Sequence, residues 1–187
     1  MQILMEPFAS LDAYLAWVDQ RPDEEHYEVV DGFAVMSPSP SMRHQRAVSR
    51  LLVALVHAAP DGFDVLPAPL DWVLWEAPRL QIREPDLLVI AREDAQGPRL
   101  TRPPLLAVEV LSPGSFERDA VAKRREYAKA GLDHYWIVDP DMPQIAVYRR
   151  SGDSLDLAAH ATGTTELVLN EPINIRLRPS DLALPEG

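Results

Sequence analysis

A single carboxylate inside an apolar run limits this chain more than any other feature. The run is Leu105-Leu106-Ala107-Val108-Glu109-Val110-Leu111, and its length and β-branched content mark a central strand buried on both faces. An ionised Glu109 there loses its hydration, at a cost of several kcal/mol, unless a cation, a metal or hydrogen-bond donors replace the water. A second acid stands at the head of an equally apolar strand, Glu84-Pro85-Asp86-Leu87-Leu88-Val89-Ile90. Pro85 removes a ladder donor and holds the chain extended just before Asp86. Carboxylates on two neighbouring strands can converge on one divalent ion.

The segments before and after these strands supply the rest of a core. Ser10 can cap a short helix over Leu11 to Val18, and Asp31-Gly32 suits the tight turn of a hairpin between Tyr27-Glu28-Val29-Val30 and Phe33-Ala34-Val35-Met36. Glu28 on that hairpin is either an exposed strand residue or a third acid of a site. Ser39 or Ser41 opens a long helix to about Ala59, with Val48, Leu51, Leu52, Leu55 and Val56 as its buried stripe. His44 belongs to the buried side, as a capping or core-edge residue or as a group that meets a phosphate or water. Arg43, Arg46 and Arg50 share a separate, solvent-facing stripe that could contact a phosphate backbone.

Asp64 to Trp75 reads as one extended stretch whose two prolines confine it to an edge or a bulge, with Asp71 as a further acid or a turn residue. The short connections from there to Glu109 favour an antiparallel meander. A helix then runs from near Ser115 to Ala130-Gly131, with Asp119, Lys123 and Tyr127 on one face. Lys123 can pair with Asp119 at the surface or reach back toward Glu109. Arg118, Arg124, Arg125 and Lys129 make this helix locally basic. His134 to Asp139 returns as a buried strand, Gln144 to Arg149 pairs with it, and Glu166 to Leu169 and Ile173 to Leu177 add strands without evident chemistry.

Composition narrows the function classes. The 187 residues, 47% apolar and 25% charged, suit one soluble domain spanning 1–187. A net charge of −11 argues against a protein that coats nucleic acid nonspecifically, while leaving room for a local basic groove. Without cysteine there is no disulfide framework, thiolate zinc site or cysteine nucleophile, and a reducing, cytoplasmic compartment is expected. No stretch approaches the ~20 apolar residues of a membrane span, and the first residues lack a targeting pattern.

Helix, three meandering strands, helix and strand, with acids on the second and third strands, resembles the core of the PD-(D/E)xK nuclease superfamily. More specifically the chain resembles the Uma-type restriction endonuclease-like family. The matching stretches are Tyr27 to Gly32, Met36-Ser37-Pro38, Arg43-His44, Pro85-Asp86-Leu87, Val108 to Pro113, Asp119, Lys123, Tyr127, Gly131 and Tyr135 to Pro140. The resemblance implies an α/β (α+β) fold with a restriction-endonuclease-like core over about 27–150, a central mixed sheet with an antiparallel meander flanked by helices, and additional terminal strands. By position Asp86 and Glu109 match the family's two metal-binding acids, and the Val110 backbone carbonyl matches a further ligand. The lysine expected two residues after the second acid is Leu111 here, which makes Lys123 its substitute.

The activity implied by this resemblance is that of a Mg²⁺-dependent endonuclease, with Mn²⁺ as a substitute ion, that hydrolyses DNA and acts as a homodimer to cut both strands. Asp86 and Glu109 would hold the ion and Lys123 would serve the attacking water. Glu28 would complete the coordination shell or place a second metal, and His44, Arg43 and Arg124 would meet the substrate. Two other readings stay open: a catalytically inactive nuclease-fold module that binds nucleic acid or a protein, and a hydrolase of smaller phosphorylated substrates.

Overall fold

The computed structural model describes residues 6–22, 25–37, 39–112 and 118–183, with the side chains of 118–120 left aside. The turn at Pro113 to Ser115, Pro38 of the Met36-Ser37-Pro38 motif and the Asp119 side chain therefore lie outside the described residues. Ser10 opens α1 (Leu11–Val18) by accepting a hydrogen bond from the Ala13 N–H. The hairpin of β1 (Tyr27–Val30) and β2 (Phe33–Met36) turns at Asp31 and Gly32, whose φ angles of 53° and 85° fit a tight turn that other residues resist.

Ser41 caps the second helix, α2 (Met42–Ala58), through the His44 N–H. Val48, Leu51 and Leu55 are buried and Leu52 half-buried, but Val56, expected in the same stripe, is 54% exposed. Val56 lies about 40° further round the helix than Leu52, which is already at the edge of the contact.

The stretch expected as one strand from Asp64 to Trp75 is two. β3 (Phe63–Pro67) and β4 (Trp72–Trp75) belong to different sheets, with the break at the Pro67-Ala68-Pro69 corner, where neither proline can donate to a ladder. A short strand that the sequence pattern did not reveal, β5 (Gln81–Arg83), follows, and then β6 (Leu87–Ala91) and β7 (Leu106–Val110). The third helix, α3 (Arg118–Lys129), leads into β8 (His134–Asp139), β9 (Gln144–Ser151) and β10 (Ser154–Thr162). The chain closes with β11 (Leu167–Leu169), β12 (Ile175–Leu177) and a one-turn helix, α4 (Pro179–Leu182).

The main sheet has the order β10-β9-β8-β7-β6-β3. β3, β6 and β7 form the expected antiparallel meander, with Leu87 opposite Val108. β7 and β8 are parallel, with Glu109 opposite Ile137, because the α3 crossover returns the chain in the same direction. The sheet is thus mixed. One face packs under α2 through Leu51, Leu55, Val89, Val108, Trp136 and Val138. The opposite face packs under α3 through Ala107, Tyr127, Ala128 and Tyr135.

A second sheet, β2-β1-β5-β4, stands beside the first and has its own apolar cluster around Tyr14, Tyr27, Val29 and Ile82. It brings Glu28 and Arg83 to the rim of the main sheet. At the other end, Arg50 leaves the exposed arginine stripe to donate to the Asp181 and Ala183 carbonyls at 2.6 Å each, which fastens α4 to α2. Among the described residues no helix is long and apolar enough to cross a membrane.

Candidate active site

Backbone direction puts the two predicted acids at one place. Asp86 stands at the entry to β6 and Glu109 near the exit of the antiparallel β7, so the strands deliver both carboxylates to the same end of the sheet. Asp86 is fixed on both oxygens: Oδ2 accepts the Val110 N–H at 2.7 Å, and Oδ1 lies 3.1 Å from His44 Nε2. The helix capped by Ser41 carries His44 there in its first turn. Burial opposes a charged imidazole, but the hydrogen bond and charge of Asp86, with Glu109 and the Val110 carbonyl behind it, raise the His44 pKa above its ordinary value.

Glu109 is met from the α3 side. Lys123 Nζ is 3.0 Å from Glu109 Oε2, and the Tyr127 hydroxyl, one helical turn on, donates to Oε1 at 2.6 Å. The same ammonium is 3.0 Å from Glu28 Oε1. Lys123 therefore reaches the strand acids from the following helix, and Glu28 is a buried member of the cluster rather than an exposed strand residue.

Burial pushes the Glu109 carboxyl up to about 7; Lys123 opposes this, and the charges of Asp86 and Glu28 add to it. Tyr127, buried beside Glu109, is held well above the ordinary phenol range. Glu28 goes the other way: burial resists its ionisation, but Lys123 and then Arg83 outweigh that and lower its pKa.

Several members had no signal in the strand and helix patterns. Arg83 donates to Glu28 Oε2 at 2.6 Å and grips Glu126 of α3 with two bonds of 2.8 and 2.9 Å. The second sheet is thereby tied to α3 through one buried guanidinium. Glu84, which lines the hollow, is pushed up to about 7 by burial and then by Asp71 and Glu28. The polar cluster Arg83-Glu84 directly before Pro85-Asp86 was the available hint, since residues so close to one acid share its end of the strand.

These groups open onto a hollow of about 520 Å³ that reaches from His44 and Asp86 to Lys123, with Ser112 and Leu111 on its wall. Two predicted substrate residues are elsewhere. Arg43 is exposed and pairs with Asp141 at 3.1 Å, because the helix turns it away from its neighbour His44. Arg124 lies on the far flank of α3 from Lys123, over the Tyr148 ring and beside a second hollow. Asp71 is engaged by Arg99 at 2.8 Å and not by the acid pair.

The hollow's donors suit a hard divalent ion: carboxylate oxygens of Asp86 and Glu109, a backbone carbonyl at Val110, and room for retained waters. Among the described residues, no three His, Asp or Glu side chains by themselves form a ready cage. A tight protein-only site is thus not what the geometry offers. An ion completed by the carbonyl, water and substrate oxygens is compatible with it.

The family model described as "Putative restriction endonuclease", Uma2, matches residues 11–180. The chain belongs to the Uma2 family. No curated protein matches it. Among solved structures it is similar to a crystal structure from Anabaena variabilis titled "putative nuclease belonging to DUF820". Identity to that protein is 16%, the TM-score is 0.73, and the match covers 94% of this chain and 97% of that one. At that identity the likeness speaks for the fold. The Uma2 chain therefore has the restriction-endonuclease-like architecture expected from its strand order and acids, and its family assignment supports a nuclease.

Proposed function

We propose that this Uma2 protein is a single-domain, cytoplasmic, metal-dependent endonuclease that hydrolyses DNA phosphodiester bonds as a homodimer. The observation that carries the reading is the convergence of Asp86, Glu109 and Lys123 on one open hollow from two strands and a helix. A structural role alone does not require two partly buried carboxylates, with a third acid beside them, at the mouth of a pocket. Replacing such charges by apolar residues commonly leaves stability equal or higher.

Asp86 and Glu109, with the Val110 carbonyl, would hold Mg²⁺ or, in its place, Mn²⁺. When bound, the ion polarises a water and neutralises charge that builds on the phosphate. The Val110 N–H fixes the direction of Asp86, and Tyr127 fixes that of Glu109. Lys123 stands where its ammonium can hold the attacking water or the developing charge, and Glu28 keeps it there from behind. Glu28, paired with Lys123 and Arg83, would position the lysine and complete the ion's shell. His44 stands beside Asp86 where it can donate a proton to a phosphate oxygen or leaving group.

The test is cleavage of supercoiled and linear DNA with Mg²⁺, with Mn²⁺ and with chelator. Metal-dependent strand breaks are expected from the wild type, and Asp86→Ala or Glu109→Ala should lower the rate at least ~100-fold, as loss of one electrostatic stabiliser does. Breaks at the wild-type rate in either variant would end the assignment. Metal-free binding to DNA with no breaks would favour the inactive-module reading, for which Leu111 in the usual lysine position is the motivating observation.

A further inference from the structure

The second hollow, on the other flank of α3, is assigned nothing by the chemistry above. It measures about 440 Å³ and is walled by Ile137, Ala146, Tyr148 and Leu157, with Arg124 at its side. We propose that it is a subsite for an unpaired nucleobase of the strand whose backbone crosses the candidate active site. This rests on the nuclease reading and specifies its substrate: the enzyme engages a single-stranded segment next to the bond it cuts.

Four observations carry the proposal. First, the hollows adjoin: Leu111 lines both, and the ring of Tyr135 on the first lies 6.0 Å from the ring of Tyr148 on the second. Second, Arg124 sits 5.0 Å over the Tyr148 ring and forms no ion pair among the described residues, which leaves its charge for a phosphate. Third, a side-chain amide is already oriented at the rim. Gln144 Nε2 donates to Asp139 Oδ2 at 3.3 Å, while Gln144 Oε1 meets His160 Nε2 at 3.2 Å.

That arrangement leaves Gln144 one N–H and one lone pair side by side, the pattern that matches a base edge. The one acid present does not repel a strand strongly, because Asp139 is buried and also accepts the Asp141 and Met142 N–H groups at 2.9 Å each. Fourth, Leu157 is 59% and Val121 40% exposed at the edge of this hollow, apolar surface that a base would cover. A duplex is too wide to enter such a space, whereas one splayed base packed against its apolar wall can.

The test measures binding without cleavage, by anisotropy of a labelled single-stranded DNA in chelator. Leu157→Glu puts a carboxylate at the hollow from an exposed position, and Val168→Glu makes the same charge change on β11, also at an exposed position. The expected result is about a tenfold loss of affinity for Leu157→Glu and for Arg124→Ala, in the range of one lost base contact, with Val168→Glu unchanged. Equal affinity of Leu157→Glu and Val168→Glu, or no binding by the wild type, overturns the subsite. Conversion of a dimer to a monomer by Leu157→Glu, seen in sedimentation, also overturns it, because the hollow would then be a self-interface. A separate cleavage assay keeps the two claims apart: binding losses as expected with no metal-dependent breaks would leave the subsite standing and remove the nuclease reading.

Discussion

The two faces of the six-stranded sheet are built on different rules. Under α2 the body of the contact is apolar, Leu51 and Leu55 against Val89, Val108, Trp136 and Val138, and charge enters only at its end, where His44 meets Asp86. Under α3 the same strands present Glu109 and Tyr135, and the helix answers with Lys123, Tyr127 and Glu126. One face does what a core needs. The other face keeps Glu28, Arg83, Glu109 and Lys123 in a low-dielectric setting where each is worth keeping only as part of a complete network. That asymmetry separates the part of the molecule that makes it fold from the part proposed to make it act.

The largest expected effect cuts along that line. Asp86→Ala should lower metal-dependent cleavage by ~100-fold or more, whereas Leu51→Ala should cost about 2–5 kcal/mol of stability and leave cleavage by the folded protein near wild type. Denaturant titration and initial rates measured together decide it; a Leu51→Ala protein that is folded but equally inactive would break the comparison. Next comes Lys123→Met, which strands Glu28 and Glu109 facing each other. In metal-free protein it should lower stability by about 3–5 kcal/mol, the usual cost of an uncompensated buried charge. An unchanged urea midpoint would show that the carboxylates do not depend on the ammonium.

The pH dependence of the metal-free protein comes from opposite shifts. Glu109 is raised to about 7, so its contribution is full below the unfolded carboxyl pKa and is lost as pH rises through about 7. Glu28 is lowered, so its contribution is present above the unfolded pKa and is lost in acid. Melting temperature should therefore peak between those ranges and fall toward pH 8, by an amount worth up to about 3 kcal/mol from Glu109. Glu109→Gln should flatten the alkaline fall; an equal fall in that variant would place its cause elsewhere. The smallest effect expected is that of Tyr127→Phe, which removes one donor from Glu109 while preserving the ring that packs 5.1 Å from Trp72. A stability change of about 1 kcal/mol is expected, with a reduced cleavage rate at saturating DNA. Unchanged turnover would confine Tyr127 to packing.

Much of the active face was legible in the sequence because its residues break a pattern. Glu109 interrupts a strand and Asp86 follows a proline at a strand head, and each sits where that placed it. His44 followed from helical spacing, four residues before the buried Val48, whereas spacing left Lys123 open between Asp119 and Glu109 and only the family resemblance pointed it at the acids. Arg83 and Glu126 did not announce themselves. Their link ties the second sheet to α3 across 43 positions of sequence, and no local periodicity encodes such a partner. The division of Asp64 to Trp75 between two sheets was hidden for a similar reason: prolines mark a break but not which sheet the chain joins afterwards. Val56 shows the limit of helical wheels, which give a face its direction but not the width of the contact it meets.

The most direct test of the central claim is calorimetric titration of Mn²⁺ into the wild type and into Glu109→Ala, in moderate salt that suppresses loose binding to the acidic surface. Saturable uptake of about one or two ions by the wild type, lost in the variant, is the predicted result for a hard-ion centre at the strand acids. Equal uptake by both proteins, or none by either, would contradict it and leave Glu109 as a carboxylate satisfied by Lys123 and Tyr127 alone.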